Sequence, residues 1–145
     1  MPLNSSEFEI STDPARLDIG MIHDFLRTSY WAPDVPREII EKSIQNSFCF
    51  GVYYGPQQVA FARVITDFAT MAYLSDLFVI PEFRAQGISK MLVKAIVDHP
   101  RLQGLRRWLL VTLDAQGLYT QFGFKPISNP EMFMTIHHPD IHRSI

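Results

Sequence analysis

The first third of the chain shows the three-to-four-residue spacing of apolar positions that is typical of helices. Apolar residues recur at this spacing over residues 19–30, where Asp18 supplies an N-cap, and again after Pro36. Proline is tolerated at the start of a helix because it lacks only an N–H that would be unpaired there. A short apolar run at residues 8–10 comes first. The pattern therefore predicts one strand followed by two helices.

The middle of the chain instead carries continuous apolar and aromatic runs that are separated by turn residues. Gly55-Pro56 divides the first run from the second, residues 67–70 divide the second from the third, and Pro81 closes the third. Because these runs follow one another at hairpin distance, we expect an antiparallel meander. The three predicted strands cover residues 48–54, 59–66 and 72–80.

The second half of the chain returns to alternating helices and strands. An amphipathic stripe predicts a helix over residues 88–99, and a buried-looking strand follows at residues 108–113. The remaining predicted elements are a short helix at residues 115–122, ended by Gly123, and strands beginning at Phe124 and covering residues 132–136. This order predicts an α/β (α+β) chain with a mixed sheet flanked by helices.

Composition limits the classes of protein to which the chain can belong. Its 145 residues, 47% hydrophobic and 19% charged, predict one soluble domain over residues 1–145. A net charge of −2 argues against a nucleic-acid partner, and no run reaches the roughly 18 apolar residues of a membrane span. Residues 1–7 have neither the basic nor the apolar region of a secretory signal, so we expect a cytoplasmic protein.

The junction between the third meander strand and the next helix carries the most chemical information. Free N–H groups at a helix N-terminus and the helix dipole together favour an anion. Gly87 lets the backbone approach a ligand, Ser89 is small and offers a hydroxyl, and Arg84 and Lys90 add positive charge. These features indicate a phosphate or pyrophosphate site. A glycine needed only for a tight turn is the alternative interpretation.

This junction resembles the phosphate loop of the GNAT superfamily of acyl-CoA-dependent N-acyltransferases. The family pattern is Arg/Gln-x-x-Gly-x-Gly/Ala, and Arg84-Ala85-Gln86-Gly87-Ile88-Ser89 matches it except at its last position. Tyr119 and the following Gly123-Phe124 are similar to a later motif of the same family. The order of elements agrees over residues 8–136. Small stand-alone relatives often carry histidine where this chain has Gln116.

The resemblance implies a GNAT-type sheet, mostly antiparallel, with two splayed parallel strands at residues 74–80 and 108–113. Acetyl-CoA would lie between them as cosubstrate, and no metal is implied. Main-chain groups of Leu77, Phe78 and Val79 would pair with the pantetheine arm. The pyrophosphate would be held by the loop, whose residues are Arg84, Ala85, Gln86, Gly87, Ile88, Ser89 and Lys90.

The implied reaction is direct attack of a primary amine on the thioester, for which two catalytic residues are candidates. A phenol is nearly all protonated at neutral pH, so Tyr119 could protonate the leaving thiolate. Packing of its ring against Phe124 is the alternative. Asp76 is an acidic residue in an apolar strand and is a candidate base, unless it faces solvent or makes a structural hydrogen bond. Water could also take the amine proton.

The acceptor is less clearly indicated. Tyr30 and Trp31 lie between the first two predicted helices, where aromatic rings could bind an amine by cation–π contact or pack at a rim. The partner would be a small-molecule or protein amine, and the resemblance also suggests a homodimer. A non-catalytic acyl-CoA-binding or sensor domain on the same fold is the alternative function.

Two further groups of residues carry reactive side chains. The only cysteine, Cys49, could be an acylated nucleophile, but its apolar neighbours favour core packing. His137, His138, Asp140 and His142 fit no usual metal-ligand spacing, so we expect a solvated segment there and no metal site.

Overall fold

A five-stranded sheet forms the centre of the computed structural model, which describes residues 7–143. The expectation that the chain has no secretory signal rests on residues 1–7. Of these, residues 1–6 lie outside the described range. In chain order the strands are β1 (Phe8–Ser11), β2 (Phe48–Tyr54), β3 (Gln57–Thr66), β4 (Met71–Val79) and β5 (Arg107–Leu110). They lie side by side in that same order.

The sheet is antiparallel except at one edge. β1–β2, β2–β3 and β3–β4 pair antiparallel, as the meander predicted, whereas β4 and β5 run parallel. The parallel register joins Met71 to Arg107 and ends with Leu74 opposite Leu110. The predicted mixed, mostly antiparallel sheet with splayed parallel strands is therefore confirmed, although the two strands pair over residues 71–74 and 107–110 and separate beyond these residues.

Four helices cover the two faces of the sheet. They are α1 (Ile19–Leu26), α2 (Arg37–Gln45), α3 (Ile88–Val97) and α4 (Gln116–Thr120). Asp18 caps α1 by accepting the N–H of Met21. Among residues 7–143, none of the helices has the length and apolar character needed to cross a bilayer.

Alternation along the strands places apolar side chains in two cores. On β2, Phe50 and Val52 belong to the core beneath α3, while Cys49 faces the core beneath α1 and α2. Phe61 of β3 lies in that second core. Because both faces are covered, β2 and β3 are buried almost throughout and read as continuous apolar runs rather than alternating ones.

The structure corrects several predicted boundaries. The first helix ends at Leu26, so Tyr30 lies in the loop that follows, and α3 ends at Val97 rather than at residue 99. The strand predicted at residues 108–113 ends at Leu110, where its pairing with β4 stops.

The two strands predicted after α4 are wrong. Within residues 7–143 the chain forms no strand beyond β5, and Pro130–Met132 is a single 3-10 turn. Residues 132–136 show the apolar spacing of a strand, yet Met134 and Ile136 are almost fully exposed. A strand needs hydrogen-bonding partners as well as β-forming residues, and Pro126 and Pro130 remove two backbone donors from the stretch that follows Phe124.

Candidate active site

A large cavity opens where β4 and β5 separate. Its volume is about 1080 Å³, and it extends from the N-terminus of α3 to the loop after α1. Beyond Leu74 the edge of β4 that faces β5 has no strand partner within the described residues, so Ser75–Val79 present backbone groups to the cavity. Most of the predicted site residues line this space: Tyr30, Trp31, Asp76, Leu77, Phe78, Val79, Arg84, Ala85, Gly87, Ile88, Ser89, Lys90 and Tyr119.

An extra residue in β4 places Asp76 at the point of separation. The register of β3 against β4 steps from Phe61 opposite Phe78 to Arg63 opposite Ser75, so β4 has one residue more than β3. Asp76 has a φ of 56° there, a left-handed conformation that is rare for a non-glycine residue in a strand. Such a bulge bends a strand and redirects its side chains.

Both carboxylate oxygens of Asp76 are already hydrogen-bonded. Arg63 Nε donates to Oδ2 at 2.8 Å, and Trp31 Nε1 donates to Oδ1 at 2.8 Å. The Asp76 side chain is only 8% exposed and that of Arg63 17%, so this ion pair is largely withdrawn from water. Arg63 also donates to Ser47 Oγ at 3.2 Å. The carboxylate thereby connects the sheet to the loop after α1.

The loop before α3 has the geometry of an anion site. Gly87 precedes the helix with a φ of 78°, and no side chain caps the N-terminus of α3. A Cβ built on Gly87 would meet no atom within 4 Å, so the glycine serves the backbone conformation and leaves open space beside it. Ala85 also has a positive φ, of 63°. Arg84 Nε donates to the carbonyl of Val79 at 3.1 Å, which ties the loop to the end of β4.

Two glutamines that the resemblance singles out, Gln86 and Gln116, do not line the cavity. Gln86 is part of the loop but does not line the cavity. Gln116 donates through its side-chain amide to the carbonyls of Thr112 and Leu113, at 3.2 and 3.3 Å. This glutamine therefore holds the end of the β5–α4 loop rather than facing the cavity.

Tyr119 combines the two interpretations that its sequence context allowed. Its ring packs edge-on against Phe124, with centroids 5.7 Å apart, and the residue is 9% exposed. Tyr119 nevertheless lines the cavity. Burial raises the pKa of Tyr119 above its ordinary value of 10.0, and the nearby phenol of Tyr30 raises it further. The phenol therefore stays protonated across the neutral range.

The rings of Tyr30 and Trp31, which lie in the segment after α1, line the same cavity. They meet edge to face, with centroids 5.0 Å apart. Tyr30 Oη accepts the N–H of Leu113 at 3.3 Å, so this hydrogen bond joins the loop after α1 to the segment after β5.

Sequence reasoning missed several lining residues. Phe25 and Tyr73 lie on α1 and β4, where they read as ordinary helix and strand positions, and Asp114 lies in a loop. Thr135, His137 and Pro139 also line the cavity, although their segment forms no strand. No local pattern in the sequence indicates that contact.

The remaining reactive groups lie elsewhere. Cys49 is buried, and burial raises the pKa of its thiol from 9.0 to about 12, which disfavours the thiolate. Asp67 accepts the N–H groups of Ala69 and Thr70, so its carboxylate stabilises its own turn. Among residues 7–143 no cluster of three or more His, Cys, Asp or Glu side chains could hold a metal ion.

Comparison with known proteins identifies the family. The profile of the acetyltransferase (GNAT) family matches residues 18–124, about three quarters of the chain. A curated protein of Gibberella zeae, provisionally named an acetyltransferase, is 31% identical over 136 residues, which cover 78% of this chain and 76% of that protein.

Solved structures show the same fold. A provisionally named GNAT acetyltransferase from Xanthomonas campestris is 47% identical, with a TM-score of 0.92, over 94% of this chain and 97% of that one. A GNAT acetyltransferase from Elizabethkingia anophelis, solved with acetyl-CoA bound, has a TM-score of 0.64 at 17% identity, over 83% of this chain and 78% of that one. The profile match and these relatives together show that the chain belongs to the GNAT acetyltransferase family.

Proposed function

We propose that this protein transfers an acetyl group from acetyl-CoA to a primary amine. The observation that carries the proposal is the single continuous cavity, which connects an uncapped helix N-terminus to Tyr119 and to the rings of Tyr30 and Trp31. An anion site, a proton donor and an aromatic surface thus line one space. Family membership supports acetyl transfer as the reaction class, but the acceptor has to be argued from the site itself.

The cavity residues fit an acyl-CoA along their length. N–H groups at the start of α3 would bind the pyrophosphate, and Arg84 and Lys90 add positive charge at the same end. The edge of β4 at Leu77, Phe78 and Val79, which has no partner strand among the described residues, would pair with the amides of the pantetheine arm, although the Val79 carbonyl already accepts from Arg84 Nε. Open space beside Gly87 lets a phosphate approach the backbone. These features support acetyl-CoA as the donor that we propose for this cavity.

The proposed reaction is direct attack. The amine nitrogen attacks the thioester carbonyl carbon, so that a C–N bond forms and the C–S bond breaks. Tyr119 donates its phenolic proton to the departing thiolate and regains a proton from water. The raised pKa of Tyr119 supports this role, because a proton donor must hold its proton until the thiolate forms.

The geometry favours water, rather than Asp76, as the acceptor of the amine proton. Each oxygen of Asp76 accepts a hydrogen bond, from Arg63 or from Trp31, and taking up a proton would neutralise the carboxylate and so remove its ion pair with Arg63. The cavity is open to solvent along the exposed ring of Tyr30, 59% of whose surface is accessible. We therefore assign Asp76 a positioning role.

The experiment that tests the proposal follows both products. Purified protein is incubated with acetyl-CoA and a mixture of primary amines, while free thiol is measured and the amines are analysed by mass spectrometry. We expect thiol release to require an amine and to match the acetylated amine formed. With acetyl-CoA alone, the intact protein should keep its mass. An acetylated protein that then reacts with the amine would contradict direct attack.

A further inference from the structure

We infer that the acceptor is a primary amine carried on an apolar body, and that Asp76 is the positioning residue that fixes Trp31 to receive it. This inference rests on the proposed function and concerns the acceptor end of the same cavity. Polyamines and other acceptors with several positive charges are the class that it excludes. The supporting observations are the aromatic wall, its hydrogen bonds and the charges around it.

The wall consists of four aromatic residues in contact. Phe25 stacks on Phe78 with centroids 4.0 Å apart and planes 6° from parallel. Trp31 lies against Phe25 at 6.5 Å, and Tyr30 meets Trp31 at 5.0 Å. All four residues line the cavity. Such a surface suits an apolar group, because covering it removes apolar area from water.

Hydrogen bonds hold the two outer rings in place although they are exposed. Trp31 is 40% and Tyr30 59% accessible, values that would ordinarily allow an aromatic side chain to change rotamer. The Trp31 indole is fixed by Asp76, whose carboxylate is itself held by Arg63, and the Tyr30 hydroxyl is fixed by the N–H of Leu113. A surface fixed before binding costs less entropy when a ligand covers it.

The charges at this end suit one ammonium group rather than several. Among the described residues, Asp76 and Asp114 are the acidic side chains that line the cavity, and the charge of Asp76 is neutralised by Arg63. The basic residues Arg84 and Lys90 lie at the loop end. One incoming ammonium can be stabilised by the aromatic faces and Asp114 before it loses its proton. A second or third would be desolvated without a carboxylate to pair with.

The first test compares acceptors on the purified full chain at saturating acetyl-CoA. The amines are 2-phenylethylamine and hexylamine, with spermidine as the polycation, and thiol release gives kcat/KM for each. We expect both apolar amines to exceed spermidine by about ten-fold or more, the discrimination that pocket contacts ordinarily supply. Equal values, or a preference for spermidine, would overturn the inference.

Variants test the role of Asp76 and Trp31. With 2-phenylethylamine as acceptor, Trp31→Ala should raise the acceptor KM about ten-fold, whereas Trp31→Phe, which keeps a ring but loses the hydrogen bond to Asp76, should raise it by a smaller factor. Asp76→Asn should also raise the acceptor KM while leaving the pH profile of kcat unchanged in shape. Phe68→Ala is the matched control, since Phe68 is 37% exposed but lies outside the cavity lining.

The outcomes separate this inference from the proposed function. A fall in kcat and a changed pH profile in Asp76→Asn, with the acceptor KM unaltered, would show proton transfer and overturn the positioning role. Turnover of spermidine alone would overturn the acceptor class but leave acetyl transfer intact. Acetyl-CoA binding without thiol release from any amine would contradict both.

Discussion

At the scale of single residues, Tyr119 shows how packing and chemistry can use one side chain. Its ring is held against Phe124, and the same residue lines the cavity in which we propose that the thiolate departs. Burial favours the neutral form, so the same packing that fixes the ring also retains the proton.

Replacement of Tyr119 tests that role. Tyr119→Phe should lower kcat by about 100-fold, the contribution typical of general acid catalysis, and leave the dissociation constant of acetyl-CoA unchanged. Because the pKa of Tyr119 is raised above 10.0, wild-type activity should be retained at neutral pH and decline only at higher pH. Steady-state kinetics against pH and calorimetric binding measure the two effects. An unchanged kcat would remove Tyr119 from the mechanism.

Cys49 gives a second prediction at this scale. Because burial raises the pKa of its thiol to about 12, alkylation by iodoacetamide at pH 8 should be about a thousand-fold slower than in the unfolded chain. The stabilisation that the protonated thiol contributes is complete below its ordinary pKa of 9.0 and is lost as the pH rises toward 12. Intact-mass analysis with and without guanidinium follows the reaction. Rapid labelling of the native protein would contradict this burial.

At the scale of elements, the site depends on where two strands stop pairing. β4 and β5 share a register only as far as Leu74 and Leu110, and the bulge at Asp76 follows directly. The apolar runs of the sequence predicted both strands, and the resemblance predicted their parallel relation. The bulge had no such indication, because it is set by the pairing of β4 with β3 rather than by local propensity.

The loop before α3 can be tested against a glycine with the same conformation elsewhere. Gly87→Glu and Gly104→Glu place a side chain at φ of 78° and 77°, so each should cost about 1–2 kcal/mol of stability. Only Gly87 borders the cavity. The carboxylate at residue 87 would oppose a phosphate, so binding of acetyl-CoA should weaken about 100-fold or more in that variant alone.

Thermal unfolding first confirms that each variant is folded. Calorimetric titration with acetyl-CoA then compares the affinities of the two variants. Equal affinities for acetyl-CoA in Gly87→Glu and Gly104→Glu would show that the loop is a structural turn and not the phosphate site.

At the scale of the whole molecule, the sequence predicted the architecture up to β5 and failed beyond α4. The helices before that point have periodic apolar positions and the central strands have continuous apolar runs, and both are buried by neighbours, so pattern and packing agree. The segment at residues 132–136 has the pattern without a partner strand, so local preference alone could not establish a sheet position there.

The candidate site was predictable where a motif marks it and not where tertiary contacts create it. The loop at Gly87 and the helix at Tyr119 carry recognisable residues close together in sequence. The hydrogen bond from Trp31 to Asp76 joins positions 45 residues apart. His137 is still farther along the chain from Trp31, yet both residues line the cavity. Such contacts depend on the assembled fold, and a single sequence contains no pattern for them.

Calorimetric titration of the purified protein with acetyl-CoA, with CoA and ATP as controls, is the decisive measurement of the donor site. We expect saturable binding of one acetyl-CoA per chain at micromolar affinity, because the cavity presents the loop, the open strand edge and the aromatic wall in one continuous space. Absence of binding to acetyl-CoA and to CoA would contradict this expectation, and the proposed transfer with it, since both depend on that space.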